Sequence, residues 1–264
     1  MRITSLQNQR IKDVVKLHQH RQRRRAGKFL IAGYRALCHA LEQGYALLEL
    51  YVAPELFFGN NEETLIERIA ATDAVIYAVT AAVFAKLADG GRPDGLLAVA
   101  RQPVRRLADH RPVGQDFYLI AEGVEKPGNL GTILRSADGA GASGVIVCDP
   151  CTDLWHPEVV RGSVGACFVV PSFEVTSVAA MTWCRQHGIA ILAATPQADQ
   201  LYTEVDMTGP VALAVGTEQH GLSERWLSAA DHCIKLPMLG KANSLNVAVA
   251  ATLLLYEVVR QRER

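Results

Sequence analysis

The sequence has no hydrophobic run long enough to cross a membrane. The longest apolar stretch, Ala242–Tyr256, spans 15 residues and is interrupted by Asn243, Ser244 and Asn246, whereas a spanning helix needs about 20 mostly apolar residues. The basic residues near the N-terminus are not followed by an apolar stretch either, which excludes a secretory signal. We therefore expect a buried helix at 242–256 and a cytoplasmic protein.

Clustered metal-binding cysteines are also missing. The six cysteines are scattered, and only Cys148 and Cys151 stand close together. A structural zinc at this pair would lack its remaining ligands, and the Asp149-Pro150 step between the two cysteines is typical of a turn after a strand. We expect reduced cysteines, as in cytosolic proteins, and no metal site.

Net charge is zero, with 27 basic and 27 acidic residues, but the charges are unevenly distributed. Residues 1–35 hold ten Lys or Arg and one acid, whereas residues 115–264 hold ten basic and sixteen acidic residues. A basic arm on a mildly acidic body is typical of a polyanion binder, whose affinity comes mainly from phosphate contacts. A solvated helix face is the alternative. The candidate phosphate-contacting residues of the arm are Arg21, Arg23, Arg24, Arg25 and Lys28.

Apolar strands alternate with helices along the whole chain, which predicts an α/β fold with a mostly parallel sheet covered on both faces. The polar, proline-containing segment RQPVRRLADHRPVGQD has the composition of a linker. We predict a smaller α/β domain at 1–103, a linker at 104–115 and a larger α/β domain at 116–264. In the larger domain we predict a helix from Asn129 to Gly141, a strand at FVVPSF and a last helix from Ser244.

The glycines Gly139, Gly141 and Gly144 match the GxGxxG pattern of dinucleotide-binding proteins. In those proteins the glycines follow a strand and open a helix, so that the pyrophosphate meets the helix N-terminus. Here they close a helix and lead into a strand. We interpret them as turn residues and not as a nicotinamide or flavin site.

Three other segments combine glycine with polar side chains directly after predicted strands. In AEGVEKPGNLGTILRSADGAG, Arg135 lies six residues after Asn129 in a stretch of helix whose one other charged residue is Asp138. A cation is costly there unless it meets a carboxylate or a phosphate, and a salt bridge is the simpler explanation. In LAVGTEQHGLSERW, two glycines flank Glu218 at the end of a strand, which suits a ligand or a plain tight turn. In CIKLPMLGKANSLNVAVA, Ser244 and Asn246 precede a helix that they would cap.

Together these three segments, in this order and spacing, closely resemble the SpoU/TrmH branch of the SPOUT methyltransferases. The similarity covers residues from about 117 to 259, and AATP at 193–196 is similar to the strand before the family's cofactor loops. ITSLQNQRIK and KFLIAGYRALCHALEQG are similar, more weakly, to the small RNA-binding domain with a ribosomal-protein-like fold that precedes many members. The family methylates ribose 2′-hydroxyls in RNA with S-adenosylmethionine.

The resemblance implies a C-terminal trefoil knot, a rare exception to the rule that chains do not thread loops, and a homodimer that shares its active site between subunits. It implies that the cofactor lies among loops at Thr195-Pro196, Gly216 to Glu218 and Leu236 to Leu245. The implied cofactor-binding residues are Thr195, Gly216, Thr217, Leu236, Met238 and Leu245. The implied catalytic or substrate residues are Asn129, Arg135, Glu218, Ser244 and Asn246.

Lys126 stands where many family members carry an acidic residue, and its charge favours a nearby RNA phosphate. The reaction implied by the family needs neither metal nor covalent intermediate. A guanidinium is a poor base, so we expect Arg135 to stabilise the developing alkoxide or to fix the adjacent phosphate, and Glu218 to orient Arg135 or Asn129. The expected substrate is ribosomal RNA of the large subunit. The alternatives are transfer RNA, and a non-catalytic RNA-binding or ribosome-assembly protein that keeps the knot.

Overall fold

The computed structural model describes residues 2–88 and 94–263, and the chain forms two compact units. The first contains the chain up to Val104 together with Trp155–Val169, and the second contains Arg105–Leu154 and the chain from Val170 onward. The predicted division at residues 104–115 does not foresee the excursion of Trp155–Val169 into the first unit. None of the described helices is both long and apolar enough to cross a bilayer.

Strands and helices alternate in both units, which confirms the predicted α/β class. The elements up to Val104 are β1 (Arg2–Ile3), α1 (Gln9–Lys16), α2 (His20–Ala26), β2 (Lys28–Ala32), α3 (Tyr34–Glu42), β3 (Leu47–Val52), α4 (Glu62–Ala70), β4 (Val75–Val79), α5 (Ala81–Ala88) and β5 (Leu96–Arg101). Those that follow are β6 (Phe117–Glu122), α6 (Pro127–Gly139), β7 (Gly144–Cys148), α7 (Pro157–Gly162), α8 (Ala166–Val169), β8 (Ser172–Val175), α9 (Ser177–Gln186), β9 (Ala190–Ala194), β10 (Gln200–Leu201), β11 (Val211–Val215), α10 (Glu224–Ala229), β12 (His232–Lys235) and α11 (Val247–Arg262).

The first unit is built on a mixed five-stranded sheet with the order β1-β4-β3-β5-β2. β1, β4 and β3 run parallel, whereas β5 is antiparallel to both β3 and β2. Helix α1 buries Ile11 and Val14 in a core that also contains Tyr51 and Phe84 from β3 and α5. Apolar residues three positions apart on α1 therefore anchor the start of the basic arm to the sheet.

The segment Trp155–Val169 packs into the first unit through aromatic side chains. The ring of Trp155 lies 4.5 Å from that of Phe29, and the ring of Phe168 lies 4.9 Å from that of Tyr45, centroid to centroid. Such pairs are favourable beyond the area they bury. Gly165 has φ +99°, and a Cβ atom there would lie 2.3 Å from the ring of His39, so only glycine allows this approach.

The predicted strand at FVVPSF is wrong in its first half. Phe168 and Val169 end helix α8, and β8 begins only at Ser172, after Pro171. Proline lacks the N–H that a strand ladder needs. The burial pattern of an apolar run this short does not distinguish a strand from a buried helical turn.

The second unit is built on a seven-stranded parallel sheet with the order β10-β12-β9-β11-β6-β7-β8. Because all these strands point the same way, their carboxyl ends meet at one edge. The segments after β12, β9, β11 and β6 therefore leave the sheet side by side. This edge is where an open parallel sheet binds its ligands, and the implied knot of the loops beyond it stays a prediction.

Two helices of this unit begin at other residues than predicted. Helix α6 starts at Pro127 instead of Asn129, since proline fits the first turn of a helix, where its missing N–H is not needed. Helix α11 starts at Val247 instead of Ser244, because the side chain of Asn246 accepts a hydrogen bond from the N–H of Ala248 and caps the helix. Gly139 ends α6 and Gly144 begins β7, as expected of turn residues.

Candidate active site

Three of the five implied catalytic residues form a continuous chain of hydrogen bonds in the second unit. The amide nitrogen Nδ2 of Asn129 donates to Oε1 of Glu218 at 2.6 Å, and Nδ2 of Asn246 donates to Oδ1 of Asn129 at 3.1 Å. Oδ1 of Asn246 accepts from the backbone N–H of Ala248. Both ends of both amides are engaged, so the chain fixes which way each amide faces.

The three residues come from different elements that meet at the carboxyl edge of the sheet. Asn129 lies in the first turn of α6, Glu218 in the loop after β11, and Asn246 at the cap of α11. Helices α6 and α11 pack against each other, and Oγ of Ser136 lies 2.7 Å from Oγ1 of Thr252 across their interface. Residues more than 80 positions apart are thus brought within hydrogen-bond reach.

The loop that carries Glu218 is closed on itself. The backbone N–H groups of Thr217 and Gly221 each donate to the other residue's carbonyl, at 2.9 and 3.0 Å. Gly216 packs against the far end of this loop so closely that a Cβ atom would lie 2.1 Å from the carbonyl carbon of Gly221. Glycine at position 216 is therefore required for the loop to close and present Glu218 to Asn129.

Glu218 is half-buried and accepts three hydrogen bonds, from Asn129 and from the backbone N–H groups of Glu125 (3.2 Å) and Lys126 (3.3 Å). Burial alone would raise the pKa of Glu218, but the hydrogen bonds, led by that from Asn129, outweigh it and hold the pKa below its ordinary value. Of the two partners expected for Glu218, Asn129 is the one that the carboxylate contacts. The site therefore keeps a fixed negative charge at neutral pH.

A second carboxylate, which the sequence reasoning did not single out, supports the same edge. Glu122 is 9% exposed and accepts from the backbone N–H of Ser223 at 2.7 Å and from its hydroxyl at 2.6 Å. This pair ties the end of β6 to the start of α10. The signal in the sequence is the single acid that ends the apolar strand FYLIAE, since a buried carboxylate needs dedicated donors.

Arg135 and Ser244 lie outside the hydrogen-bond chain. Arg135 is exposed on α6 and, among the described residues, no carboxylate lies within 4 Å of it. The salt-bridge explanation for this residue is therefore wrong. Its charge is free to meet an anion from outside the chain. Ser244 is exposed in the loop before α11.

The loops assigned to the cofactor follow three neighbouring strands. Thr195 follows β9, Gly216 and Thr217 follow β11, and Leu236 follows β12. The backbone N–H of Thr195 donates to the carbonyl of Ile234 at 2.9 Å, which ties the first loop to the end of β12. Leu236 and Met238 are half-buried, and Leu245 is exposed.

These loops fit S-adenosylmethionine. Partly exposed apolar side chains offer a surface for its adenine, and backbone groups at the strand ends offer donors and acceptors for its polar atoms. Lys126 is exposed, and its backbone N–H is already used by Glu218, so only its side chain is available to a phosphate.

The basic arm of the first unit is exposed in part. Arg21, Arg24 and Arg25 are exposed on α2, and Lys28 is half-buried at the start of β2. Arg23 is fully buried, and its guanidinium donates to the carbonyls of Leu17 (2.8 Å) and His18 (2.7 Å). The assignment of Arg23 to phosphate binding is thus corrected, because its donors hold the chain between α1 and α2 instead.

The cysteine pair has the surroundings of a structural turn. Cys148 ends β7, and burial raises the pKa of its thiol well above the ordinary value. Cys151 is exposed. Within residues 2–88 and 94–263 no group of three or more His, Cys, Asp or Glu is arranged to hold a metal ion.

Two models of known protein families match the chain, one in each half. Residues 116–256 match the SpoU rRNA Methylase family, and residues 8–98 match the MRM3-like substrate binding domain. The 23S rRNA (uridine(2479)-2′-O)-methyltransferase of Streptomyces viridochromogenes is 35% identical over 93% of this chain and 87% of its own.

Two solved structures are similar over almost the whole chain. An RNA 2′-O ribose methyltransferase is 42% identical with a TM-score of 0.88, and the alignment covers 100% of both chains. An AdoMet-bound rRNA methyltransferase from Sinorhizobium meliloti is 29% identical with a TM-score of 0.90, over 98% of this chain and 97% of that one.

Proposed function

The chain belongs to the SpoU rRNA methylase family, and from this premise we propose that it transfers the methyl group of S-adenosylmethionine to a ribose 2′-hydroxyl of ribosomal RNA. The observation that carries the proposal is the hydrogen-bond chain of Glu218, Asn129 and Asn246 beside the three loops after β9, β11 and β12. Relatives that match the chain from end to end are named as rRNA or RNA ribose methyltransferases.

The chemistry needs a positioned hydroxyl and a place for the charge that develops on its oxygen. When bound, S-adenosylmethionine supplies a methyl group on a positively charged sulfur. In the transfer the bond between that methyl carbon and sulfur would break as the ribose oxygen bonds to the carbon, which would leave a neutral thioether, and the hydroxyl proton would pass to solvent. Positioning and electrostatic stabilisation are the terms that the protein supplies in such a transfer.

We assign Arg135 to binding negative charge on the RNA. Arg135 lies one and two-thirds helical turns after Asn129 on α6, and no carboxylate of residues 2–88 or 94–263 lies within 4 Å of it. Its planar fork suits the developing alkoxide or the adjacent phosphate. Glu218 holds the amide of Asn129 in a single orientation, so we assign Asn129 and Asn246 to hydrogen bonding of the ribose and Glu218 to positioning them.

We further propose that the active unit is a homodimer formed through α11. Val249, Leu253 and Tyr256 recur at helical spacing on α11 and are 47%, 42% and 48% exposed, and Leu245 just before the helix is 38% exposed. A contiguous apolar stripe of this kind on a surface helix typically marks a protein interface. The helix also carries Asn246 at its cap, so a partner on this face would lie next to the site.

We assign the reaction to the cytoplasm, where the six free cysteines stay reduced. Purified protein should be incubated with methyl-labelled S-adenosylmethionine and, separately, unmodified ribosomal and transfer RNA, and the digested RNA analysed by mass for 2′-O-methylnucleosides. We expect a product from ribosomal RNA that is lost in Arg135→Ala and kept in Asp138→Asn, a change of an exposed charge on the same helix. A product from transfer RNA alone would replace the assigned substrate. Bound cofactor without product in either pool would favour a non-catalytic RNA-binding protein.

A further inference from the structure

A cavity of about 820 Å³ lies in the second unit, away from the residues assigned above. Its walls are the segment 105–111, the end of β8 and one face of α9. The segment contains a short 3-10 helix, Leu107–Asp109, and supplies Arg105, Arg106 and Arg111 to the lining. Polar, proline-containing sequence of this kind is typical of a linker, yet here it builds one side of a cavity.

The cavity carries an excess of positive charge. Three arginines face one carboxylate, that of Glu174, and Oε1 of Glu174 already accepts from the backbone N–H of Leu154 at 2.6 Å. Arg111 donates to the carbonyls of Ala108 (2.6 Å) and His110 (3.2 Å), which holds its guanidinium at the end of the 3-10 helix. In the described part of the chain neither Arg106 nor Arg111 has a carboxylate within 4 Å.

The opposite wall is aromatic and contains a donor without an acceptor. Trp183 and His187 line the cavity, with ring centroids 5.1 Å apart. Trp183 is 4% exposed, and its Nε1–H has no hydrogen-bond partner among the described residues. A buried donor is normally satisfied, so a ligand oxygen at this wall would complete a bond that the chain itself leaves open.

The cavity extends along α9 from the carboxyl end of β8, at Val175, toward the amino end of the sheet, where Trp183 lies 5.1 Å from Tyr118 of β6, centroid to centroid. Val175, which lines the cavity, pairs in register with Cys148 of β7, and Cys148 pairs with Glu122 of β6. Neighbouring strands lie about 4.8 Å apart, so the end of β8 is about 10 Å from the end of β6. The aromatic wall is somewhat farther away, because Trp183 contacts Tyr118, which lies four residues, about 13 Å, before the end of β6. The two distances correspond to about three and about four nucleotides of a stacked strand, at about 3.4 Å each.

We infer that this cavity binds a single-stranded nucleotide of the substrate RNA three or four positions from the methylated one. Its phosphate would lie against Arg106 and Arg111, and its base against the wall formed by Leu107, Trp183 and His187. Charge complementarity selects the occupant, because a nucleotide in a strand combines an anionic group with a flat, largely apolar ring that accepts hydrogen bonds. The inference rests on the proposed function, since it places a second part of the same substrate.

The test measures binding of a fluorescein-labelled single-stranded RNA of mixed sequence, about 12 nucleotides long, to the full-length protein by anisotropy at several salt concentrations. The variant Arg106→Glu/Arg111→Glu is compared with Arg185→Glu, which reverses an exposed charge on α9 outside the cavity lining. We expect the double variant to raise Kd about tenfold and to make the salt dependence shallower by about 1.4, as the loss of two phosphate contacts predicts. Thr182→Glu, which puts a negative charge at the rim on α9, should weaken binding in the same direction.

A positional readout accompanies the affinities. RNA containing 4-thiouridine should crosslink to the tryptic peptide Gly162–Arg185, which contains Trp183, in the parent protein. In Arg185→Glu, which lacks the cleavage site at 185, it should crosslink to the longer peptide Gly162–Arg225, and in the double variant to neither. Equal affinities of the double variant and Arg185→Glu, or crosslinks only elsewhere, would overturn the inference. Displacement of the RNA by micromolar AMP would also overturn it, because the cavity would then be a site for a free nucleotide.

Methylation of ribosomal RNA by the parent protein separates the two proposals. If the parent methylates RNA and the double variant behaves like Arg185→Glu, only the cavity assignment fails. If the parent binds S-adenosylmethionine but neither binds nor methylates RNA, the proposed function fails and the inference fails with it. Thermal unfolding of each variant checks that its fold is unchanged.

Discussion

Replacing Glu218 with glutamine tests the centre of the hydrogen-bond chain. The carboxylate accepts from Asn129, Glu125 and Lys126 at 2.6, 3.2 and 3.3 Å. Glutamine offers a single acceptor oxygen, and its amide nitrogen would face one of these N–H donors. The substitution keeps the size of the side chain, so its effect isolates charge and hydrogen bonding from packing.

The expected magnitude follows from the number of bonds lost. A hydrogen bond to a charged group contributes about 1.5–3 kcal/mol when buried. Glu218 is only half-buried, so solvent screening reduces this to about 0.5–1 kcal/mol per bond. Glutamine keeps the bonds from Asn129 and Lys126 to one oxygen as weaker, neutral bonds and loses the bond from Glu125. The free energy of unfolding should therefore fall by about 1–2 kcal/mol, which corresponds to about 2–8 °C in Tm for a domain of this size. Misplacement of Asn129 should lower kcat about tenfold or more, since about 1.4 kcal/mol in the barrier is a factor of ten.

The pH dependence has a definite sign. The pKa of Glu218 is held below its ordinary value, so the unfolded chain binds a proton more readily than the native state does. The stabilising contribution is complete above the ordinary glutamate pKa of about 4.3 and is lost as the pH falls through the lower folded value. The difference in stability between the parent protein and Glu218→Gln should therefore be constant from neutral pH to about 5 and shrink below about 4.3.

Urea denaturation at a series of pH values measures this difference directly, and turnover of labelled S-adenosylmethionine on ribosomal RNA measures the catalytic effect. Asp138→Asn is the matched control, because Asp138 is an exposed acid on α6. Unfolding free energies of Glu218→Gln and the control that agree within about 0.5 kcal/mol at neutral pH would refute the reasoning. A difference that grows as the pH falls below about 4.3 would refute the assigned pKa direction.

Four further outcomes follow from the structure. Gly216→Ala places a Cβ atom 2.1 Å from the facing loop backbone, so calorimetry should show at least tenfold weaker binding of S-adenosylmethionine, roughly the effect of about 1.4 kcal/mol of strain; unchanged binding would contradict the close packing. Arg23→Met removes two buried hydrogen bonds from a charged donor and should cost about 2–4 kcal/mol in the free energy of unfolding, measured in urea. Arg24→Glu with Arg25→Glu should make the salt dependence of RNA affinity shallower by about 1.4, and an unaltered dependence would remove α2 from the RNA contact. Leu253→Asp, on the exposed stripe of α11, should convert the proposed dimer to a monomer in sedimentation velocity, and a parent protein that sediments as a monomer would contradict the proposed dimer.

The strands and most helices of this protein could be predicted because their apolar residues recur with the period of the element. The carboxyl ends of the parallel strands bring the three glycine-containing segments to one edge, and the family resemblance is why Asn129, Glu218 and Asn246 were singled out within them; the three residues lie together. Glu122 was not singled out, because one acid at the end of a strand forms no recurring pattern in the sequence. Only the folded chain shows that the backbone N–H and the hydroxyl of Ser223 donate to its carboxylate.

The predictions for Arg23 and for the strand FVVPSF were wrong for the same physical reason. Arg23 stands in a run of basic residues, a pattern that is typical of a solvent-exposed surface. It is buried because its guanidinium donates to two backbone carbonyls in the turn between α1 and α2. The second half of FVVPSF forms β8, whereas Phe168 pairs with Tyr45, which lies more than 120 positions earlier. Contacts between residues far apart in the sequence depend on tertiary packing, so the local periodicity of apolar residues does not predict them.

The excursion of Trp155–Val169 limits how freely this protein can be divided. The chain passes between the two units three times, before Arg105, before Trp155 and before Val170. A fragment cut at the linker would carry Trp155 and Phe168 without the rings of Phe29 and Tyr45. Exchange of the N-terminal unit between relatives therefore cannot be a single crossover event, because the recipient must already carry a matching segment in the middle of its catalytic unit.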